Sequence, residues 1–120
     1  MRVRALLVFA LLALACKDHE RIDREEALKT NLGQIRRAIA AYRTQQGTYP
    51  HALTDLVPKY LPALPVDPVG GGAWRETTEE TVLPNSDFQT TTNAAAPSVI
   101  IDVRSSAVGT DRNGVPYANY

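Results

Sequence analysis

The hydrophobic positions of the chain first indicate a long amphipathic helix. Apolar side chains recur at spacings of four, three, four and three residues, at Leu28, Leu32, Ile35, Ile39 and Tyr42. This is the period of one helix face, so the pattern predicts a helix from residue 22 to about residue 46 whose stripe packs against a core. Gly47 follows as the residue that ends the helix, and Pro50 bars its continuation.

A proline-rich crossing follows the helix. Leu53, Leu56 and Val57 predict a short second helix, opened by Thr54 or His51. After it come four closely spaced prolines, at Pro58, Pro62, Pro65 and Pro68. Prolines at this density predict an extended, semi-rigid segment and exclude a central strand.

Two β-prone runs, residues 74–83 and 98–104, predict a small sheet. The candidate core contacts are Trp74, Thr78 and Val82 in the first run, and Val99, Ile101 and Val103, on one face, in the second. Residues 84–97 between the runs are rich in Pro, Asn, Thr and Ala and predict a poorly specified connection. The whole pattern predicts an α+β fold, with one long N-terminal helix packed on a small antiparallel sheet.

The first fifteen residues are typical of a signal peptide. Two arginines precede an uninterrupted apolar run from Ala5 to Ala15, which small residues and Cys16 close. A helix of this run would extend about 16 Å, roughly half of the ~30 Å hydrocarbon core, so a stable transmembrane helix is not predicted. We therefore divide the chain into a signal peptide (1–15), a tether (16–23) and one domain (24–120).

The end of the apolar run resembles a bacterial lipobox, where signal peptidase II cuts before a lipid-modified cysteine. The residues are Leu12-Ala13-Leu14-Ala15-Cys16, with cleavage between Ala15 and Cys16 and lipid on Cys16. The pattern prefers Leu three places before the Cys, where this chain has Ala13. The alternative is a plain secretory signal cut after Ala13 or Ala15. We favour lipidation, which leaves no free thiol for other chemistry.

Composition and charge narrow the classes of function. The chain has 120 residues with 13 basic and 13 acidic side chains, enough for one small domain. Removing the signal peptide takes Arg2 and Arg4 away, so the domain is mildly acidic, which disfavours nucleic-acid binding. The single Cys excludes an internal disulfide, and no Cys and His residues have zinc spacing.

The titratable residues do not assemble into catalytic machinery. His19 and His51 have no nucleophile–base pattern around them, and a surface or helix-opening role is favoured. The pairs Glu25-Glu26 and Glu79-Glu80 point apart on a helix or strand and predict solvated faces. The glycine triplet at 70–72 predicts a turn, because it lacks the Lys, Ser or Thr of a phosphate-binding loop. The protein is therefore not expected to be an enzyme.

The order of these features resembles the periplasmic domain of the major pseudopilins of bacterial type II secretion and of related type IV pilin-like proteins. The resemblance covers roughly residues 24–120 and rests on motifs that are weak singly but share the family's order. These are a helix ending in Tyr42-Arg43, then Gly47-Thr48-Tyr49-Pro50, Leu53 and Leu56, Leu64-Pro65-Val66-Asp67-Pro68, Ile101-Asp102-Val103 and Ser105-Ser106.

The resemblance implies a pilin-like soluble domain with a structural role, in which subunits pack by their N-terminal helices into a short periplasmic filament. This chain departs from the family at its start, because a lipobox-like segment replaces the Gly-Phe-Thr-Leu-x-Glu start and the long apolar helix. Assembly by the usual route depends on that helix. A true filament subunit, with residues 5–15 as a shortened helix remnant, is therefore the less favoured interpretation.

The second departure concerns calcium, which major pseudopilins hold in an acidic C-terminal loop. Here Asp111-x-Asn113-Gly114 is a fragment of such a loop, to which Asp102 or backbone carbonyls could add oxygens. The same residues fit an ordinary Asx and Asn-Gly turn. We favour the turn and expect no resident metal or other cofactor, with calcium as the alternative.

The leading hypothesis is thus a non-enzymatic, pseudopilin-like lipoprotein of the bacterial cell envelope, facing the periplasm and anchored at Cys16. Its expected partners are envelope or secretion-machinery proteins, reached through the helix start or the 84–97 connection. The alternative is a lipoprotein binding module that captures a peptide, glycan or metal ion. A cluster of aromatic residues in the connection would favour the binding module, and the sequence has only Phe88 there.

Overall fold

The structure is a computed structural model that describes residues 2–80 and 97–120, with side chains described from Leu12 onward except that of Ala13. One long helix, α1 (Arg2–Gln46), lies against a two-stranded antiparallel sheet of β1 (Arg75–Glu80) and β2 (Ser98–Arg104). Short 3-10 helices occupy Leu53–Leu56 and Tyr117–Asn119. This arrangement confirms the predicted α+β fold of a long helix packed on a small sheet.

Helix α1 begins twenty residues earlier than the apolar stripe predicted. Its 45 residues extend for about 68 Å, and residues 16–23, predicted as a tether, are helical throughout. Arg21 Nε lies 3.2 Å from Glu25, an i,i+4 ion pair that favours the helix, and His19 Nε2 lies 3.8 Å from the Asp23 carboxylate on the exposed side. These i,i+4 pairs were present in the sequence and are typical of a helix.

The first part of α1 projects from the domain as an arm. The described side chains from Leu12 to Arg21 are all exposed, and the molecule measures 85 × 30 × 20 Å. Within residues 2–80 and 97–120, no helix combines the length and the apolar character needed to span a membrane.

The second half of α1 carries the predicted apolar stripe. Leu28, Leu32, Ile35 and Ile39 are at most 3% exposed, and Tyr42 packs at the edge of the same cluster. The stripe belongs to one core cluster with residues from the later segments of the described chain other than β1, namely Leu53, Leu56, Leu61, Trp74, Ile100, Val103, Ala107 and Tyr117. The predicted core face of the helix is therefore confirmed.

Gly47 ends α1 as predicted. Its backbone has a φ of 75°, in the left-handed region, and its N–H donates to the Arg43 carbonyl at 2.9 Å. Glycine adopts this conformation without the steric cost that a Cβ atom imposes.

We expect Gly47→Ala to lower the free energy of unfolding by about 1 kcal/mol, the cost of a left-handed backbone for an L side chain. The added Cβ would meet no atom within 4 Å, so the loss is purely conformational. Gly72→Ala is the matched control, because Gly72 also has open space and its φ lies outside the left-handed region. Urea denaturation measures both variants, and equal stability of the two would contradict the expectation.

Because of a β-bulge, the β2 side chains that enter the core differ from those predicted. Thr77 pairs with Asp102 but Thr78 pairs with Ile100, so Ile101 is the extra residue. A bulge reverses the alternation of side chains beyond it. Consequently Ile100 joins Val103 in the core with 1% and 0% exposure, and the predicted placement of Ile101 among the core residues is wrong, because it is only half-buried.

The predicted core contacts of the first β-prone run divide three ways. Trp74 is buried as predicted, immediately before β1 begins. Thr78 is exposed, so its predicted core role is wrong, since β1 borders only β2 among the described residues and its side chains lie largely in solvent. Val82, Phe88 and most of the 84–97 connection fall outside the residues that the structure describes.

The short helix at Leu53–Leu56 begins after the N-cap residue Ala52, so the prediction that Thr54 or His51 opens it is wrong. The Asp55 carboxylate accepts the backbone N–H groups of His51 at 3.1 Å and of Ala52 at 3.0 Å. An acidic side chain at this place satisfies donors that the first turn leaves unpaired. The His51 ring instead lies with Nδ1 3.0 Å from the carbonyl oxygen of Ser98, at the start of β2.

Candidate functional site

The family-motif residues fall into two groups in space. The first group, Tyr42, Gly47, Tyr49 and Pro50, lies where α1 ends. Arg43 covers the Tyr49 ring at 4.6 Å and donates to its hydroxyl at 2.8 Å. Buried Pro50 accepts the N–H of Ile100 through its carbonyl at 2.8 Å, which joins this corner to β2. These contacts hold the end of α1 against the start of β2.

The second group, Leu64 to Pro68, is organised by the carboxylate of Asp67. Asp67 is 1% exposed, and its Oδ1 accepts the N–H groups of Val69 at 2.9 Å and Gly70 at 2.8 Å. Its Oδ2 accepts the Ser105 hydroxyl at 2.6 Å and the Ser106 N–H at 3.0 Å. One buried carboxylate therefore joins the proline-rich crossing to the segment after β2.

These hydrogen bonds set the protonation state of Asp67. Burial raises its pKa, but the hydrogen bonds from Ser105, Gly70, Val69 and Ser106 outweigh burial and hold the pKa below its ordinary value. Gly70 is required by the close approach: a Cβ there would lie 2.6 Å from Asp67 Oδ2 and 2.9 Å from the Ala107 nitrogen. The Gly70 amide thus binds an internal carboxylate.

A shallow apolar groove of about 390 Å³ opens beside this second group. Its apolar wall includes Leu64, Val66 and the Trp74 ring, while Glu76 stands at its rim. Val66 is 66% exposed, and the Trp74 indole N–H is satisfied by the Pro65 carbonyl at 2.7 Å. The groove therefore offers apolar contact area with little free hydrogen-bonding capacity.

The C-terminal segment forms a closed loop around Asp111. Asp111 Oδ1 accepts the N–H groups of Asn113 at 2.7 Å and Val115 at 2.8 Å, and Oδ2 accepts the Tyr120 hydroxyl. The hydrogen bond from Tyr120, with those backbone donors, lowers the pKa of Asp111 to about 2 and raises the pKa of Tyr120 to about 12. Gly114 has a φ of 81° within this turn.

The two carboxylates that could bind calcium, those of Asp111 and Asp102, already have hydrogen-bond or ion-pair partners. The Asp111 carboxylate accepts the donors of an Asx turn, and Asp102 pairs with Arg36 Nε at 2.8 Å. Across residues 2–80 and 97–120, no three side chains of His, Cys, Asp or Glu converge as a metal site would require. Calcium therefore stays an untested alternative, and the geometry is that of a hydrogen-bonded turn.

Glu25 is a buried carboxylate whose position was not predicted from the sequence. It was predicted to be solvated with Glu26, yet Glu25 is only 4% exposed, whereas Glu26 is exposed as predicted. Its Oε1 accepts the Tyr117 hydroxyl at 2.8 Å and the Arg112 N–H at 3.2 Å, across almost the whole chain length. Glu25 lies three residues before Leu28, on the apolar stripe, and that spacing was the available signal.

The lipobox residues lie on the exposed arm. Cys16 is an exposed free cysteine on α1, with Ala15 exposed beside it. Nine residues separate Cys16 from Glu25, which corresponds to about 14 Å along the helix axis. His19 and Glu20 share this exposed stretch, and His19 interacts with Asp23.

A comparison of the chain with protein-family models, with curated proteins and with solved structures gives no match. The resemblance to the pseudopilin domain therefore stays a prediction from the sequence motifs. The fold is that of an α+β domain whose long N-terminal helix packs on the sheet with its second half and projects from the domain with its first.

Proposed function

We propose that this protein is a non-enzymatic, lipid-anchored component of the bacterial cell envelope that acts by protein–protein contact, as a pseudopilin-like domain. The observation that carries the proposal is the position of Cys16, exposed on a helical arm that continues without a break into the core helix. Lipid on this sulfur would hold the domain close to the membrane and facing the periplasm.

The contact surface in this proposal is the groove beside Trp74. Leu64 and Val66 are exposed apolar residues on a semi-rigid, proline-rich segment, and such a surface suits a protein partner. The partner would be an envelope or secretion-machinery protein. The volume of the groove also falls within the range of small-ligand pockets, which favours a peptide-binding lipoprotein module as the second candidate.

The anchor is tested by the intact mass of the membrane-extracted protein. We expect a chain that begins at Cys16 and carries acyl mass, and we expect Cys16→Ala to lose that mass and leave the membrane fraction. Ala13→Leu restores the leucine that the lipobox prefers and is expected to raise the processed fraction. A chain cut without lipid, or one that keeps residues 1–16, would contradict the lipid anchor.

The contact surface is tested by photo-crosslinking in cells. A photoreactive residue at Val66 is expected to crosslink a secretion-machinery protein, and the same residue at exposed Thr44 on α1 is the matched control. Equal crosslinking at both positions would contradict a specific surface at the groove. Saturable binding of a short peptide at the groove, without a protein crosslink, would favour the binding module.

A further inference from the structure

The C-terminal loop, residues 108–116, lies at the end of the domain nearest Cys16. The Arg21 guanidinium donates to the Thr110 carbonyl at 3.0 Å, and Arg112 lies with Nε 3.9 Å from Glu25. Arg21 follows Cys16 by five residues, about 7.5 Å along the helix axis. The loop is therefore next to the arm at the point where the arm enters the domain.

This loop exposes apolar side chains that the fold does not use. Val108 is 96% exposed, more than any other large hydrophobic residue among those described, and Val115 is 43% exposed. Val108 precedes Thr110 by two residues, which places the two Cα atoms within about 7 Å of each other. Val108 is thus two residues from the carbonyl that Arg21 contacts, and Val115 follows Arg112, whose backbone N–H donates to Glu25, by three residues.

The loop exposes no carboxylate, unlike strand β1. Asp111, its only acidic side chain, is 4% exposed and turned inward onto backbone donors and Tyr120. The other exposed side chains of the loop are apolar or neutral, with Arg112 as the one cation. The exposed strand β1, in contrast, carries Glu76, Glu79 and Glu80. A loop without an exposed carboxylate can approach a bilayer at low electrostatic cost.

We infer that loop 108–116 is a second membrane contact, in which Val108 and Val115 enter the interfacial layer of the bilayer that holds the lipid on Cys16. The inference rests on the proposed lipid anchor. The loop contacts α1 at Arg21 and Glu25, which lie about 7.5 Å and 14 Å from Cys16 along the helix axis. The polar layer on each side of the hydrocarbon core is about 5–7 Å deep, so the valines reach it when the arm lies tilted toward the membrane plane.

The contact is apolar rather than electrostatic. The neighbouring arm carries both signs, with Lys17, Arg21 and Arg24 against Asp18, Glu20 and Asp23. These charges nearly cancel, so anionic lipid is not required. The loop would fix the orientation of the domain above the membrane, and with it the direction in which the Trp74 groove faces.

The test uses the lipidated protein reconstituted in phosphatidylcholine vesicles. Acylation consumes the Cys16 thiol, so Val108→Cys supplies the single reactive thiol for an environment-sensitive fluorophore. We expect a blue-shifted emission that nitroxide-labelled lipid quenches and aqueous iodide does not. Val115→Cys is the second position. Lys59→Cys is the control, because Lys59 is exposed and lies near the C-terminal end of α1, away from Cys16. Its fluorophore is expected to be quenched by aqueous iodide and not by nitroxide-labelled lipid.

The outcomes distinguish a failure of the loop contact from a failure of the lipid anchor. Acylated protein, verified by mass, whose fluorophore at position 108 behaves like that at position 59 would overturn the loop contact and leave the anchor standing. Protein without acyl mass would overturn both. Protection of position 108 that disappears at low protein-to-lipid ratio would assign the loop to a contact between two copies, and would also overturn the inference.

Discussion

Replacing Asp67 with alanine is expected to destabilise the domain by on the order of 3 kcal/mol, because five internal donors lose their acceptor. The side chains and amides concerned belong to Val69, Gly70, Ser105 and Ser106, and the carboxylate that they share is 1% exposed. Water cannot replace it without opening the contact between the crossing and the segment after β2. Urea denaturation followed by circular dichroism measures the loss.

The pH dependence of the unfolding free energy distinguishes the contribution of the Asp67 charge from that of the side chain's shape. The folded-state pKa lies below the ordinary value, so the ionised carboxylate contributes stability that is present above its unfolded pKa of about 3.9. That contribution is lost as the pH falls through the lower, folded-state pKa. The difference in unfolding free energy between wild type and Asp67→Asn should therefore be largest near neutral pH and shrink in acid.

The control for this prediction is Asp18→Ala, which removes the same kind of side chain from the exposed arm. It should leave the unfolding free energy within about 0.5 kcal/mol of wild type. Parallel pH curves for wild type and Asp67→Asn would show that the carboxylate charge contributes nothing. In that case the shape and hydrogen bonds of the side chain would account for its whole contribution to stability.

The parts of the fold that the sequence predicted are those governed by local periodicity. The stripe from Leu28 to Ile39 and the end of the helix at Gly47 depend on residues a few positions apart, and the structure confirms both. The helical conformation before residue 22 was not predicted, because the apolar stripe begins only at Leu28. The i,i+4 pair of Arg21 and Glu25 is the local signal that indicates it.

The parts that could not be predicted depend on pairing between distant segments. The bulge at Ile101 is a property of the β1–β2 register, which a strand's own alternation does not contain. The sequence indicated Asp67 only through the motif Leu64 to Pro68, because its hydrogen-bond partners Ser105 and Ser106 follow 38 and 39 residues later. The burial of Glu25, in the middle of α1, is indicated in the sequence only by its spacing of three residues from Leu28 on the apolar stripe.

Glu25→Ala is the second large effect, and we expect it to release the C-terminal loop and to lower the free energy of unfolding by on the order of 2 kcal/mol. The Tyr117 hydroxyl and the Arg112 amide lose their acceptor, and Arg21 loses its ion-pair partner. Burial raises the pKa of Tyr117, and its hydrogen bond to Glu25 raises it further. The variant should therefore lower the pKa of Tyr117, which absorbance near 295 nm reports.

Hydrogen exchange of the 109–120 amides distinguishes loop release from general loss of stability. In Glu25→Ala these amides should exchange faster, while those of Leu32 to Ile39 keep most of their protection. Glu26→Ala, one residue further along the same helix and exposed, is the matched control and should leave both regions unchanged. If the loop keeps its protection without Glu25, the hydrogen bonds of Asp111 to Tyr120 and to the loop backbone are sufficient to close it. The loop would then reach the membrane as a self-contained unit rather than as one held by the arm.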